Sequence, residues 1–198
     1  DKLMELFQLE LKNKSLVIKS GADVLTEDQI FTYQNGSYSA FSNLFRFTML
    51  HKYGGYWVDM DLVNIKPLII SSEYIFVTEP APNYDSAKAV PTTCLIKMPK
   101  GSRAALDACD IINEQKQQVL EGKVKWGLGP STLNKIITKY NYQNFLVSPN
   151  MVCSCHPNDS LSLIIPSNVT ELNNQKLIKN LNIVQSLSEI PEEMYGIH

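Results

Sequence analysis

Two aspartates, two positions apart, are the residues of this chain whose types and spacing point most directly to chemistry. Asp59 and Asp61 follow the short aromatic and aliphatic run Tyr56-Trp57-Val58. Side chains at positions i and i+2 of an extended backbone point the same way, so the two carboxylates are expected to converge on one hard cation. A divalent cation held by one or two carboxylates completes its shell with phosphate oxygens. The pair therefore predicts a site for a divalent metal and a phosphate-bearing ligand.

The alternative is structural, because Asp is favoured at a strand end before a turn. The preceding segment favours the functional interpretation. A helical period of apolar residues between Ser37 and Tyr53 predicts a helix, and Gly54-Gly55 supplies its end. Within that helix Asn43 and Arg46 stand at i and i+3 and so share one side. A mid-helix arginine is by default a surface residue, but this stripe predicts that Arg46 faces a ligand.

A second candidate segment is the turn from Trp126 to Pro130, which leads into a helix ending near Tyr140. Pro130 is predicted at the first helical position, where its missing N–H costs nothing. Gly129 and Pro130 either merely begin the helix or belong to a turn that presents N–H groups to an anion. Both alternatives stay open on the sequence alone.

The remaining elements are predicted from periodicity and from turn residues. Glu79 to Pro91 is expected to be a loop of the kind that covers a site. A helix from Ser102 to Leu120 is capped by Ser102, and a helical turn begins at Thr26. The other expectations are a short helix within residues 1–11 and strands at Leu16–Ile18, Tyr56–Val58, Tyr74–Thr78, Thr93–Met98, Phe145–Val147 and Met151–Cys155.

Length and composition indicate one α/β domain. The chain has 198 residues, of which 44% are hydrophobic and 19% charged, and no repeat or linker divides it. A net charge of −2 gives no basic footprint for nucleic acid, and no apolar run reaches the length of a membrane span. The chain opens on Asp1 and ends on His198 directly after a strand-like run, so we expect a single domain over residues 1–198 that is truncated at both ends.

Four cysteines, at positions 94, 109, 153 and 155, show neither Cys-x-x-Cys spacing nor the density of a disulfide scaffold. The run Cys153-Ser154-Cys155-His156 is a poor match to structural zinc spacing. Free thiols on strands are therefore the preferred interpretation, with a metal site as the alternative.

The segments Ser42–Phe47 and Leu50–Asp61 together resemble the DXD-containing sugar-binding region of glycosyltransferase family 32. That family includes bacterial capsular and lipopolysaccharide sugar transferases and is related to the large glucosylating toxins. The resemblance extends in order to Tyr33–Ser37, to Lys125–Pro130 and to the terminal Tyr195-Gly196-Ile197-His198.

The resemblance implies a glycosyltransferase A-type fold, a Rossmann-like mixed sheet flanked by helices, here without its first strand. It also implies an enzyme of the hexosyltransferase type that uses a nucleotide sugar, a UDP-sugar by preference, with Mn²⁺ or Mg²⁺. Transfer with retention to a glycan acceptor, in polysaccharide biosynthesis, completes the expected activity. The expected location is the cytoplasm of a bacterium, with membrane association, or the Golgi lumen of a eukaryote.

Carried over residue by residue, the resemblance implies one set of residues that binds the metal and a second set that binds the donor. Asp59 and Asp61 would hold the metal together with His198. The donor would be bound by Asn43, Arg46, Asp59, Gly129 and Pro130. No catalytic nucleophile or base is assigned.

One departure from the family stands at Asn43, where the family usually has Asp. An amide accepts through its oxygen but adds a donor and removes a charge, so it would not pair ionically with Arg46. This substitution motivates an alternative function, a catalytically silent domain that binds a nucleotide sugar or a glycan. A metal-dependent hydrolase is a third alternative, but such sites usually need more ligands than this chain clusters around Asp59.

Overall fold

The computed structural model describes Lys12 and residues 16–80, 89–153 and 194–198. The chain divides into two compact units, residues 1–30 and 31–198. In the first unit the helical turn predicted at Thr26 is confirmed as a 3₁₀ helix, Glu27–Gln29. The N–H of Thr26 donates to the side-chain oxygen of Gln29 at 3.0 Å, as in a capping box.

The strand predicted at Leu16–Ile18 is wrong. These residues form no strand, and Val17 and Ile18 are 61% and 68% exposed. A run of aliphatic residues makes a strand only where a partner pairs with it, which is a tertiary condition that local sequence does not contain. The helix predicted within residues 1–11 lies outside the described residues.

The second unit contains, among its described residues, six strands in two sheets. The strands are β1 (Gly55–Val58), β2 (Val63–Asn64), β3 (Ile75–Glu79), β4 (Val90–Met98), β5 (Leu146–Val147) and β6 (Gly196–Ile197). The larger sheet has the order β1-β4-β3-β5, in which β4 runs antiparallel to both β1 and β3 while β3 and β5 are parallel. The strands β2 and β6 pair as an antiparallel ribbon.

Three α-helices of the described chain flank this mixed sheet. They are α1 (Ser39–Tyr53), α2 (Arg103–Leu120) and α3 (Leu128–Tyr140). The helix α1 packs on α2 and on β1, and α3 packs on β4 and α2. The result is a mixed α/β fold consistent with the predicted glycosyltransferase A-type architecture. None of the helices among the described residues is long and apolar enough to cross a membrane.

Both long helices that the periodicity predicts are confirmed. The helix α1 ends at Tyr53 and is followed by Gly54, whose φ of 70° favours glycine. A Cβ at Gly54 would lie 2.4 Å from the backbone nitrogen of Lys100. The helix α2 begins after Ser102, whose hydroxyl accepts the N–H of Ala105 at 3.3 Å.

Predicted boundaries are wrong at the start of α3 and at both ends of the expected loop. The helix α3 begins at Leu128, so Pro130 is its third residue and not its first. This position costs no hydrogen bond either, because the first four N–H groups of a helix lack an intrahelical acceptor. The expected loop from Glu79 to Pro91 is shorter at both ends, because Glu79 belongs to β3 and Pro91 to β4. Residues 81–88 of this loop lie outside the described chain.

The strand predicted at Met151–Cys155 is also wrong over its described part. Pro149–Met151 form a 3₁₀ turn, and the N–H of Cys153 donates to the carbonyl of Pro149 at 2.7 Å. The strand predicted at Phe145–Val147 shortens to β5, because Phe145 ends another 3₁₀ turn, Tyr142–Phe145. Proline at the first position starts such turns with its fixed φ.

Apolar residues from the four-stranded sheet, from the turn after β1 and from the turn after β5 form a hydrophobic core. Its buried members include Leu62, Val77, Cys94, Met151 and Cys153. The free thiols Cys94 and Cys153 are thus part of a packed interior. Of the three described cysteines only Cys94 lies on a strand, while Cys109 lies on α2, and Cys155 lies outside the described residues.

Candidate functional site

A cavity of about 290 Å³ opens between α1, the turn before α3, and the ends of β1, β3 and β4. Its wall contains all but one of the residues that the sequence assigns to a donor or metal site. These are Asn43, Arg46, Asp59, Gly129, Pro130 and His198, whereas Asp61 does not line the cavity. Residues separated by up to 155 positions in the chain (Asn43 and His198) therefore line one cavity.

The backbone pairing of β1 with β4 positions Asp59. Val58 pairs with Leu95, and the N–H of Asp59 continues the ladder by donating to the carbonyl of Cys94 at 2.8 Å. The carbonyl of Asp59 then accepts the N–H of Leu62 at 3.2 Å, which closes a β-turn. The expectation of extended backbone through Asp61 is therefore wrong, because the chain reverses directly after Asp59.

One oxygen of Asp59 accepts two side-chain hydrogen bonds. Arg46 Nη2 donates to Asp59 Oδ1 at 2.9 Å, and Trp57 Nε1 donates to the same atom at 2.5 Å. The Arg46 guanidinium also lies 4.9 Å from the centre of the Trp57 ring, within the range of a cation–π contact. Asp59 is thus fixed through Oδ1, and among the described residues no hydrogen bond engages its Oδ2.

The stripe that the helical period predicts on α1 faces the cavity. Arg46 Nη1 donates to Asn43 Oδ1 at 2.9 Å, and Asn43 Nδ2 donates to the carbonyl of Ser39 at 2.7 Å. Arg46 is buried, and its Nε has no hydrogen-bond partner among the described residues. Burial lowers the pKa of Arg46, and the nearby Asp59 carboxylate offsets part of that effect. The ion pair of Arg46 is therefore with Asp59, while Asn43 contributes a neutral hydrogen bond.

The start of α3 lies directly against Asn43. A Cβ at Gly129 would lie 2.2 Å from Asn43 Oδ1, so a larger residue here would force the Asn43 side chain out of its present position. The N–H of Leu128 donates to the hydroxyl of Tyr33 at 3.4 Å, and the first intrahelical bond runs from Ser131 to Gly127 at 3.0 Å. Within the described chain the N–H of Gly129 has no partner. It belongs to the positive end of the α3 dipole at the cavity wall.

The chain's last residues bring an imidazole to the two aspartates. The pairing of β6 with β2 and a 2.8 Å hydrogen bond from the N–H of His198 to the carbonyl of Val152 hold this end. His198 Nε2 lies 3.4 Å from Asp61 Oδ1, and one ligand atom each from Asp59, Asp61 and His198 fall within 4.8 Å of one another. Two carboxylates and an imidazole are a donor set that suits a hard or borderline divalent cation.

Several cavity residues were not predicted from the sequence. The Trp126 side chain is 72% exposed, and its ring centre lies 6.2 Å from that of the buried Tyr33. Both residues belong to segments that carry the family resemblance, and that signal was available. Glu79 and the run Thr92-Thr93-Cys94 also line the cavity. Only the strand pairing brings these there, so no local signal identified them.

Comparison with known proteins gives one family match. Residues 4–79 match the family described as the glycosyltransferase sugar-binding region containing the DXD motif. No similar protein was found among curated proteins or among solved structures. The matched segment contains Asn43, Arg46, Asp59 and Asp61, so the residues on one side of the cavity are those of a region with a known association with sugars. The match supports a glycosyltransferase family and a sugar-transfer or sugar-binding function for this chain.

Proposed function

We propose that this protein is a metal-dependent glycosyltransferase of the family 32 type that transfers a hexose from a UDP-sugar to a glycan acceptor with retention. The observation that carries the proposal is the convergence of Arg46, Asp59 and the start of α3 on one cavity, with Asp61 and His198 beside Asp59. Positive groups for a diphosphate and a carboxylate-imidazole set for a cation thus lie next to each other.

The described residues fit the cation that such a transfer needs. Asp59, Asp61 and His198 would hold Mn²⁺ or Mg²⁺, and the ion would stabilise the negative charge that develops on the leaving diphosphate. Arg46 Nη2 contacts Asp59, and Arg46 lines the cavity, so its guanidinium places positive charge beside a bound diphosphate. The Gly129 N–H supplies a second donor at the positive helix end.

The arrangement also fits the donor sugar. The Oδ1 of Asn43 lies at the wall beside Arg46 and Gly129, where an amide binds sugar hydroxyls as both donor and acceptor. In the transfer, the acceptor hydroxyl forms a bond to the anomeric carbon as the bond from that carbon to the diphosphate oxygen breaks. The hydroxyl proton passes to the leaving phosphate, and no side chain is assigned as the base.

Replacement of Asp61 separates the metal role from folding. The Asp61 side chain is 78% exposed and contacts His198 Nε2, so Asp61→Ala is expected to leave the fold intact. We expect it to abolish Mn²⁺-dependent binding of a UDP-sugar, measured by calorimetry with and without Mn²⁺. Asp110→Ala, which removes an exposed aspartate from α2, is the matched control. Unchanged manganese dependence in the Asp61 variant would refute the site assignment.

A catalytically silent donor-binding domain is the second candidate. The pairing of Arg46 with Asp59, beside a neutral Asn43, favours it, because the arginine neutralises part of the charge that would hold the metal. UDP-sugar binding that persists while neither hydrolysis nor transfer is detected would select this candidate. Turnover in the presence of Mn²⁺ would reject it.

A further inference from the structure

A second set of metal-ligating atoms lies on the other side of His198. Cys94 Sγ and Cys153 Sγ are 3.4 Å apart, and Cys153 Sγ lies 3.9 Å from His198 Nδ1. One ligand atom from each of these residues falls within 4.8 Å of the others. The two ring nitrogens of His198 therefore face different ligand sets, with Nδ1 toward the thiols and Nε2 toward Asp61.

The spacing of these atoms is close to that of a tetrahedral zinc site. Zn–S bonds of about 2.3 Å and Zn–N bonds of about 2.0 Å place two sulfurs about 3.8 Å apart and a sulfur and nitrogen about 3.5 Å apart. The observed separations of 3.4 Å and 3.9 Å differ from these values by about 0.4 Å, which small side-chain rotations supply. Cys94 and His198 line the cavity, so a cation has a path to them.

Buried cysteines also occur as small apolar residues, and Cys109 provides that comparison within the same fold. Its sulfur contacts the hydroxyl of Thr48 at 3.5 Å, and it belongs to neither group of potential metal ligands found among the described residues. The pair Cys94 and Cys153 differs because an imidazole nitrogen completes it. A set of two sulfurs and one nitrogen prefers a softer cation than the carboxylate set does.

We propose that Cys94, Cys153 and His198 bind Zn²⁺ through two thiolates and Nδ1, and that this zinc competes with the carboxylate-bound cation for His198. Zinc displaces one proton from each thiol to solvent. A neutral imidazole has one acceptor nitrogen, so zinc on Nδ1 leaves a proton on Nε2. That Nε2–H then donates to Asp61 and no longer ligates a metal. The zinc site rests on its own geometry, whereas its effect on donor binding rests on the proposed function.

Metal titrations of the whole chain under reducing conditions test the zinc site directly. Co²⁺ replaces Zn²⁺ as the optical probe, and we expect a thiolate-to-cobalt charge-transfer absorption that Zn²⁺ abolishes on displacement. Cys153→Ser is expected to remove this band and to weaken Zn²⁺ binding more than about tenfold, since it deletes a ligand and not only a supporting group. Cys109→Ser, the matched buried-cysteine control, is expected to bind both ions as the parent does.

The competition is tested by repeating the Mn²⁺ titration with Zn²⁺ present. We expect the apparent Mn²⁺ affinity to fall in the parent chain and to be restored in Cys153→Ser. Absence of the thiolate band, or equal zinc affinity in Cys153→Ser, would overturn the zinc site, as would a Cys94–Cys153 disulfide under the same reducing conditions. Zinc binding without any UDP-sugar binding would instead refute only the proposed function, so the two failures are distinguishable.

Discussion

Asp59 both pairs with Arg46 and is a proposed metal ligand. Its Oδ1 accepts from Arg46 and from Trp57, and these contacts fix the carboxylate beside the turn that carries Asp61. Position 43 decides how the Arg46 charge is shared. With an amide there, Arg46 makes one ionic contact and one neutral hydrogen bond, at 2.9 Å each.

Asn43→Asp is therefore expected to divide the ionic contacts of Arg46 between position 43 and Asp59. A carboxylate at position 43 competes with Asp59 for Arg46, so Asp59 is freed for the cation and its affinity for Mn²⁺ rises severalfold. Loss of the amide donor to the Ser39 carbonyl costs about 1 kcal/mol of stability, which the fold tolerates. Calorimetry over a panel of UDP-sugars is expected to show an altered sugar preference. Asn134→Asp, on the exposed side of α3, is the control; the same affinities and preference in Asn43→Asp would contradict this account.

At the scale of elements, Asp107 joins two helices. It lies on α2 and contacts Arg103 Nε at 2.9 Å on its own helix, and Lys139 Nζ at 2.5 Å and Tyr140 Oη at 2.8 Å on α3. The hydrogen bonds from Lys139 and Tyr140 lower the pKa of Asp107 below its usual value. Because α3 supplies the Gly129 wall of the cavity, this carboxylate stabilises an element that shapes the site.

Because the pKa of Asp107 is lowered in the folded state, the free energy of unfolding is expected to fall at acid pH. The contribution of Asp107 is fully present above the unfolded pKa of about 3.9 and is lost as pH falls through the lower folded pKa. Arg103 and Lys139 are largely exposed, so solvent screening limits the loss in Asp107→Asn to about 1 kcal/mol at neutral pH. Urea unfolding between neutral pH and about pH 3 is expected to show a shallower pH dependence in this variant. A slope equal to that of the parent, or to that of the exposed control Asp110→Asn, would count against it.

Comparison of the predicted and observed elements shows which parts of the fold local sequence signals determine. The helices α1 and α2 were predictable because apolar period, cap and terminal glycine are all local signals. The stripe of Asn43 and Arg46 followed from the same period. The false strand at Leu16–Ile18 and the true contact of Cys94 with Cys153, 59 positions apart, both depend on which segments meet. Local patterns identified one wall of the cavity, whereas pairing of β4 and the final strand determined the other.

At the scale of the whole molecule, the terminal strand connects both proposed metal sites. The strand β6 pairs with β2, and His198 follows it directly. Gly196 permits the close approach, because a Cβ there would lie 2.7 Å from Leu62 Cδ2 and 2.9 Å from the carbonyl oxygen of Val63. A side chain rotates, but the backbone oxygen of a paired strand yields only if the pairing itself shifts.

Gly196→Val is thus expected to move His198 away from both ligand sets. We expect Mn²⁺ and Zn²⁺ affinities to fall together, measured by calorimetry and by the cobalt absorption, while circular dichroism of the four-stranded sheet and helices stays the same. Asn64→Val adds a similar side chain at the exposed partner position on β2 and serves as the control. The joint loss distinguishes His198 from the residues that ligate one metal, because Asp61→Ala is expected to impair mainly Mn²⁺ binding and Cys153→Ser only Zn²⁺ binding. Parental affinity for either ion in Gly196→Val would show that the two sites do not share this histidine.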